Sequence, residues 1–134
     1  MRVLVDSSVW IDYFNGVDTP QTDYLDEILG RAPVVVGDLI VTEVLQGLAN
    51  DREVALAQAA LAKFDSYGLA GSEIAVAAAV NRRLLRAQGQ PPGDALRALI
   101  ATFCIRSNFA LLHSDRSFKA YERHLGLKVP DPGM

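Results

Sequence analysis

The chain has 134 residues, of which 50% are hydrophobic and 22% charged, enough to bury the core of one compact domain. Its 13 basic and 16 acidic residues give a net charge of −3, which excludes a uniformly basic nucleic-acid-binding surface but allows a local basic patch. A single cysteine excludes an internal disulfide and a cysteine-rich zinc site. No segment reads as a signal peptide or a membrane span, so we expect a cytoplasmic protein without membrane contact, forming one domain over residues 1–134.

The first half of the chain predicts two buried strands, each followed by helices. Continuous apolar character up to Asp6 favours a central parallel strand with a carboxylate at its exit, and three consecutive valines favour a second strand. We predict strands at 2–6 and 34–36, and helices at 9–15, from Thr19-Pro20, from Gly37-Asp38 and at 53–64.

The second half continues the alternation of strands and helices. We predict an extended segment at 67–69, helices at 73–88, from Asp94 to about 107 and at 114–124, a strand at 109–113, and a short edge strand at 127–129 before a Pro130-Asp131-Pro132 tail. This alternation indicates an α/β fold, a three-layer α/β/α sandwich with a mainly parallel central sheet.

Acidic residues follow the predicted strands. Asp6 ends the first strand, Asp115 lies two residues after the strand at 109–113, and Glu43 lies about two turns into the helix after the second strand. Because parallel strands bring their carboxyl ends to one edge of a sheet, we expect these carboxylates to converge there. Such a cluster would require a cation, and Mg²⁺ or Mn²⁺ is the hard ion that oxygen ligands favour. Each acid alone would equally suit a helix cap.

Four segments resemble the motifs of PIN-domain ribonucleases, in particular the VapC toxins of bacterial toxin–antitoxin pairs. They are residues 3–12, 37–47, 99–105 and 111–118, in the order and spacing of the family. The resemblance covers nearly the whole chain and implies a PIN-like domain. It also implies metal-binding and catalytic roles for Asp6, Glu43 and Asp115. The implied function is an Mg²⁺-dependent endoribonuclease that cuts cellular RNA and is silenced by a VapB-type antitoxin.

One acid of the family pattern is missing. Where the family has Asp three residues before an Ile-Ala pair, this chain has Arg97, and Ser117 stands where a further Asp is frequent. A guanidinium stays charged at any working pH, so Arg97 among carboxylates would compete with a metal ion. Asp94, one helical turn earlier, is a weaker candidate for the missing ligand and is also a suitable N-cap.

Other polar and basic residues are candidate contacts for RNA. Besides Arg97 turned outward, the candidates near the acids are Ser7, Arg116 and Lys119. The long helix carries a basic ridge of Arg82, Arg83 and Arg86. Such a ridge suits phosphate contact and equally suits a solvated helix face.

Two functions remain open from the sequence. The first is an active metal-dependent endoribonuclease, weakened by Arg97. The second is a degenerate PIN-like module that binds antitoxin or RNA without efficient cleavage. A phospho-receiver domain would share the Asp after the first strand, but no convincing acceptor Asp and Lys follow at later strand ends. Apolar helices from Thr22 to Phe64 predict a homodimer and a cleft for an antitoxin peptide.

Overall fold

A computed structural model describes residues 1–130 of the chain, and the end of the predicted tail, from Asp131, lies outside these described residues. The strands are β1 (Val3–Val5), β2 (Val34–Gly37), β3 (Asp65–Tyr67) and β4 (Ala110–Leu112). The helices are α1 (Ser7–Phe14), α2 (Pro20–Ile28), α3 (Asp38–Gln46), α4 (Asp51–Leu61), α5 (Ser72–Ala87), α6 (Ala95–Ser107) and α7 (Lys119–His124). Within residues 1–130, no helix combines the length and apolar character needed to cross a bilayer.

The four strands form one parallel sheet in the order β3-β2-β1-β4. Val3 of β1 pairs with Val34 on one side and with Ala110 on the other. Every residue of β1, β2 and β4 is buried, as a parallel sheet covered on both faces requires. The predicted α/β fold with a parallel central sheet is therefore confirmed.

The helices cover the sheet in two groups. The first group comprises α1 to α4, in which α1 contacts α2 and α3, and α3 contacts α4. The second group pairs α5 with α6, and α6 packs on β4. Because crossovers between parallel strands are right-handed, and the chain reverses direction across the sheet between β3 and β4, the two groups lie on opposite faces.

Gly37 brings the end of β2 close to another part of the chain. A Cβ atom at this position would lie 2.3 Å from Cδ1 of Leu69, which is fully buried. Only glycine therefore fits under Leu69. Helix α3 begins directly after Gly37, at the carboxyl edge of the sheet, and therefore places Glu43 near that edge.

Several predicted boundaries were wrong for local reasons. The strand expected at 67–69 lies at Asp65–Tyr67, and the edge strand expected at 127–129 is a single bridge between Lys128 and Ala110. The helix expected at 114–124 begins as a 3-10 turn at Arg116–Phe118, because the Asp115 side chain accepts a hydrogen bond from the Ser117 backbone N–H and caps that turn. In α1, Asp6 is the N-cap, so the helix begins at Ser7.

Candidate active site at the carboxyl edge of the sheet

Asp6 lies at the exit of β1 and is fully buried. Its Oδ2 accepts hydrogen bonds from the backbone N–H of Ser8 at 3.1 Å and from the Ser8 hydroxyl at 2.6 Å. Its Oδ1 is buried and has no hydrogen-bond partner among the described residues. Burial raises the pKa of Asp6, although the Ser8 hydrogen bonds and the charge of Arg97 act in the opposite direction. Asp6 is thus both a helix cap and a buried group whose charged carboxylate form is destabilised by burial.

Glu43 reaches the same edge from α3. The Ser7 hydroxyl, in the first turn of α1, donates a 2.9 Å hydrogen bond to Glu43 Oε1. Ser7 therefore ties the start of α1 to α3 and orients the Glu43 carboxylate. The structure places this predicted substrate contact inside the acidic cluster.

Asp115 follows β4 and completes the group of carboxylates. Its Oδ1 accepts a 2.8 Å hydrogen bond from the Ser117 backbone N–H, and its Oδ2 lies 3.3 Å from Nη1 of Arg97. Burial would raise the pKa of Asp115, but the hydrogen bonds from Ser117 and Arg97 outweigh it, so this pKa is lowered. Asp115 is held as a carboxylate.

Arg97 projects from α6 into the centre of this cluster. Its guanidinium forms ion pairs with Glu43 through Nη2 and with Asp115 through Nη1, and its side chain is only 12% exposed. Burial alone would lower the pKa of Arg97, but the charges of Asp6 and Glu43 raise it above its usual value. The guanidinium is thus a cation shared by two of the three acids, and it is not turned outward toward solvent.

The sequence of this chain matches a family model over most of its length. Residues 3–124 match the model described as the PIN domain. The chain belongs to the PIN domain family. Its four sequence segments and its carboxyl-edge cluster all fall within the matched residues.

Several solved structures share the fold of this chain. The chain is 14% identical to a VapBC2 structure from Rickettsia felis bound to a promoter DNA fragment, with a TM-score of 0.76 and coverage of 97% of this chain and 98% of that one. It is 18% identical to FitAcB from Neisseria gonorrhoeae, with a TM-score of 0.70 and 97% coverage of both chains. It is 16% identical to VapC20 from Mycobacterium tuberculosis, described as a sarcin–ricin-loop-cleaving toxin, with a TM-score of 0.68 and coverage of 88% and 93%.

The remaining predicted site residues lie around this PIN-domain cluster. Asp94 caps α6 by accepting a 2.8 Å hydrogen bond from the Arg97 backbone N–H, and its side chain, 68% exposed, stays 3.7 Å from Nε of Arg97. Arg116 and Lys119 are exposed, and Lys119 Nζ lies 3.8 Å from Glu122 Oε1. Of these three residues, only Asp94 contacts a side chain of the cluster, through Arg97.

The arrangement does not fit a divalent metal ion while Arg97 occupies its place. Within residues 1–130, no group of three His, Cys, Asp or Glu side chains is positioned to hold a metal ion. One carboxylate oxygen of Glu43 and one of Asp115 already accept hydrogen bonds from Arg97. In the cluster as it stands, an internal cation therefore binds two of the three acids.

Sequence reasoning missed two residues of the site. Ser8 supplies both hydrogen bonds to Asp6, and the Asp-Ser-Ser order after β1 was the available signal. Gly93, with φ +66°, lies against the cluster, because a Cβ there would be 3.1 Å from Cβ of Ser117 and 3.3 Å from Cβ of Arg97. The Pro-Pro-Gly sequence indicated a loop, but not its contact with Arg97.

Proposed function

We propose that this PIN-domain chain is the toxin-type partner of a toxin–antitoxin pair, that RNA is its substrate class, and that its own RNA cleavage is weak or absent. The observation that carries the proposal is the double ion pair of Arg97 with Glu43 and Asp115. Asp6, Glu43 and Asp115 have the chemistry of a nuclease centre, whereas Arg97 supplies the positive charge that a metal would otherwise bring.

Structural similarity supports the partner and the substrate class. Structures of VapBC complexes cover nearly the whole of this chain, and one similar protein is described as a sarcin–ricin-loop-cleaving toxin. At 14–16% identity these likenesses establish the fold, so the antitoxin and RNA belong to the proposal. We place the pair in the cytoplasm, where RNA is available.

The physical reason for weak cleavage is competition between two kinds of cation. For Mg²⁺ or Mn²⁺ to reach Asp6, Glu43 and Asp115, the guanidinium would have to leave two carboxylates, and a second positive charge nearby would repel the ion. Replacing Arg97 by Asp removes one positive charge and adds one negative charge. At roughly 4–6 Å, with the screening of a partly exposed site, this reversal favours the metal by a few kcal/mol. We therefore expect Arg97→Asp to raise both metal affinity and RNA cleavage.

The test compares cleavage of a labelled RNA by purified variants in Mg²⁺ and in Mn²⁺. Parent protein should cut slowly or not at all, and Arg97→Asp should cut at least tenfold faster. Adding Asp6→Asn to Arg97→Asp should abolish the gain. The matched control is Arg52→Asp, which makes the same charge change at an exposed position of α4 and should leave cleavage unchanged. Isothermal titration with Mn²⁺ measures the affinity directly.

A parent protein that cuts RNA rapidly, with no effect of Arg97→Asp, would contradict the proposal. Arg97 would then lie outside the working centre. Asp94 would become the better candidate for the missing ligand, and Asp94→Asn would be the substitution that removes activity.

The proposed homodimer needs a different surface from the one that the sequence indicated. Between Thr22 and Phe64, Leu56 is the single large apolar side chain that is strongly exposed. The exposed apolar residues instead cluster on α5, where Val76, Val80 and Leu84 are 67%, 50% and 46% exposed at i, i+4 and i+8. A twofold axis near Val80 would pair this apolar stripe with itself in antiparallel fashion. We therefore place the dimer contact on α5.

A further inference from the structure

A groove between α5 and α6 lies outside the carboxylate cluster and is lined by arginines. Its volume is about 460 Å³, and its apolar lining consists of alanines from both helices together with Leu99. One wall carries Arg82, Arg83 and Arg86, all on α5. The spacings of three and four residues up to Arg86 place these side chains along one side of the helix. The groove therefore combines a small-residue floor with a row of positive charges.

Two of these charges are free to bind a ligand. Arg83 and Arg86 are exposed, and neither forms an ion pair within residues 1–130. Arg82 is partly buried, and its Nη2 donates a 2.6 Å hydrogen bond to the carbonyl oxygen of Gly93. This contact fixes the end of the row nearest the loop before α6. The groove thus concentrates positive charge in a chain whose net charge is −3.

The same loop connects the groove to the carboxylate cluster. The carbonyl oxygen of Gly93 accepts the hydrogen bond from Arg82. On its other side, the Gly93 α-carbon lies against the side chains of Ser117 and Arg97. A Cβ at Gly93 would approach the Arg97 Cβ to 3.3 Å, so larger residues would push the two regions apart. A polyanion lying in the groove would therefore end beside the Gly93 loop, whose other side contacts Arg97.

We propose that this arginine groove binds the phosphodiester backbone of single-stranded RNA and leads it to the carboxylate cluster. The inference rests on the proposed RNA substrate and adds the surface that holds it. Arginine forks recognise phosphate oxygens, and a row of arginines matches a ligand that carries one charge at every nucleotide. An acidic peptide carries its charges on separate side chains. RNA is favoured because the loop that Arg82 contacts also borders the carboxylate cluster.

The test measures binding of a fluorescein-labelled single-stranded RNA of about 12 nucleotides, a length suited to single-strand binding sites, by anisotropy in EDTA. The variant is Arg83→Gln/Arg86→Gln. For single strands, the slope of log K against log[salt] changes by about 0.7 for each phosphate contact, so the variant should reduce the slope by about 1.4. The same relation gives a loss of affinity of roughly tenfold at about 0.15 M salt.

The control removes an exposed arginine from another helix. Arg52 lies on α4 and forms no ion pair within residues 1–130. Arg52→Gln should leave both the affinity and the slope unchanged. A double variant with the parent's slope, or a control variant with an equal loss, would overturn the groove as the RNA surface.

Two further measurements separate this inference from the proposed function. In an Arg97→Asp background that cuts RNA, the groove substitutions should raise KM for RNA about tenfold and leave kcat nearly unchanged. Active Arg97→Asp protein with an unaltered KM would refute the groove and leave the nuclease proposal standing. Arginine-dependent binding of labelled polyglutamate in place of RNA would also overturn it, in favour of an acidic protein partner.

Discussion

The contacts of Arg97 predict a metal-linked change in stability that is measurable without RNA. In Arg97→Gln, Glu43 and Asp115 lose their shared cation while they remain partly buried, at 20% and 26% side-chain exposure. Removing one partner of a fully buried ion pair costs about 3–5 kcal/mol, and partial exposure reduces this cost. We therefore expect the free energy of unfolding to fall by about 2–3 kcal/mol in EDTA.

A divalent ion should restore part of this loss in the variant alone. With the guanidinium gone, we expect Asp6, Glu43 and Asp115 to rearrange around Mn²⁺, which would stabilise the folded state by RT ln(1 + [L]/Kd). For a Kd of about 1 mM and about 10 mM Mn²⁺, this amounts to about 1.4 kcal/mol. Parent protein should gain much less, because Arg97 already occupies the site.

The assay is urea denaturation of parent, Arg97→Gln and Arg52→Gln, each in EDTA and in Mn²⁺. Arg52 is exposed on α4, so its variant should stay within about 0.5 kcal/mol of parent in both buffers. If Arg97→Gln loses less than about 0.5 kcal/mol and does not respond to Mn²⁺, Arg97 is not the internal cation of the cluster.

Two other predictions concern the buried acid and the α5 surface. Burial raises the pKa of Asp6 above its ordinary 3.8, despite the hydrogen bonds from Ser8 and the charge of Arg97, so the folded state binds this proton more tightly than the unfolded chain does. The resulting cost in folding stability is absent at low pH and grows as the pH rises through the folded-state pKa. Asp6→Asn keeps an N-cap side chain, so it should unfold at a higher urea concentration than parent at pH 7, and this difference should close toward pH 4. If burial were not the cause, the difference would be absent at every pH. Val80→Arg should convert a dimer into a monomer by light scattering, whereas Leu56→Arg, on α4, should not; a dimer that survives Val80→Arg uses another surface.

The sequence predicted those elements whose signals are local. Continuous apolar runs identified β1, β2 and β4, and the Asp94 side chain caps α6 as expected. Strand β3 gave a weaker signal, because Asp65 and Ser66 are exposed at the edge of the sheet. The buried Leu69, which packs over Gly37, made the following residues resemble a strand instead.

The site was predictable in position but not in its contacts. Asp6, Glu43 and Asp115 follow adjacent parallel strands, so their common edge followed from topology, and motif spacing placed Arg97 near them. Whether Arg97 would turn inward depends on the distance between α3 and α6, which no local pattern encodes. The roles of these acids in metal binding and cleavage remain predictions for the experiments above. The apolar surface was misplaced because many leucines between Thr22 and Phe64 are at least partly buried.

The central position of β1 has a consequence for how the chain is made. One edge of β1 can pair with β2 once Gly37 has been synthesised, but its other edge must wait for β4, which ends at Leu112. At about 5–20 residues per second, that wait lasts roughly 4–15 s on the ribosome. A chain that stops earlier lacks Asp115 and presents an open apolar strand edge, which favours pairing with other chains. Premature termination therefore yields a protein prone to aggregation and without an assembled centre.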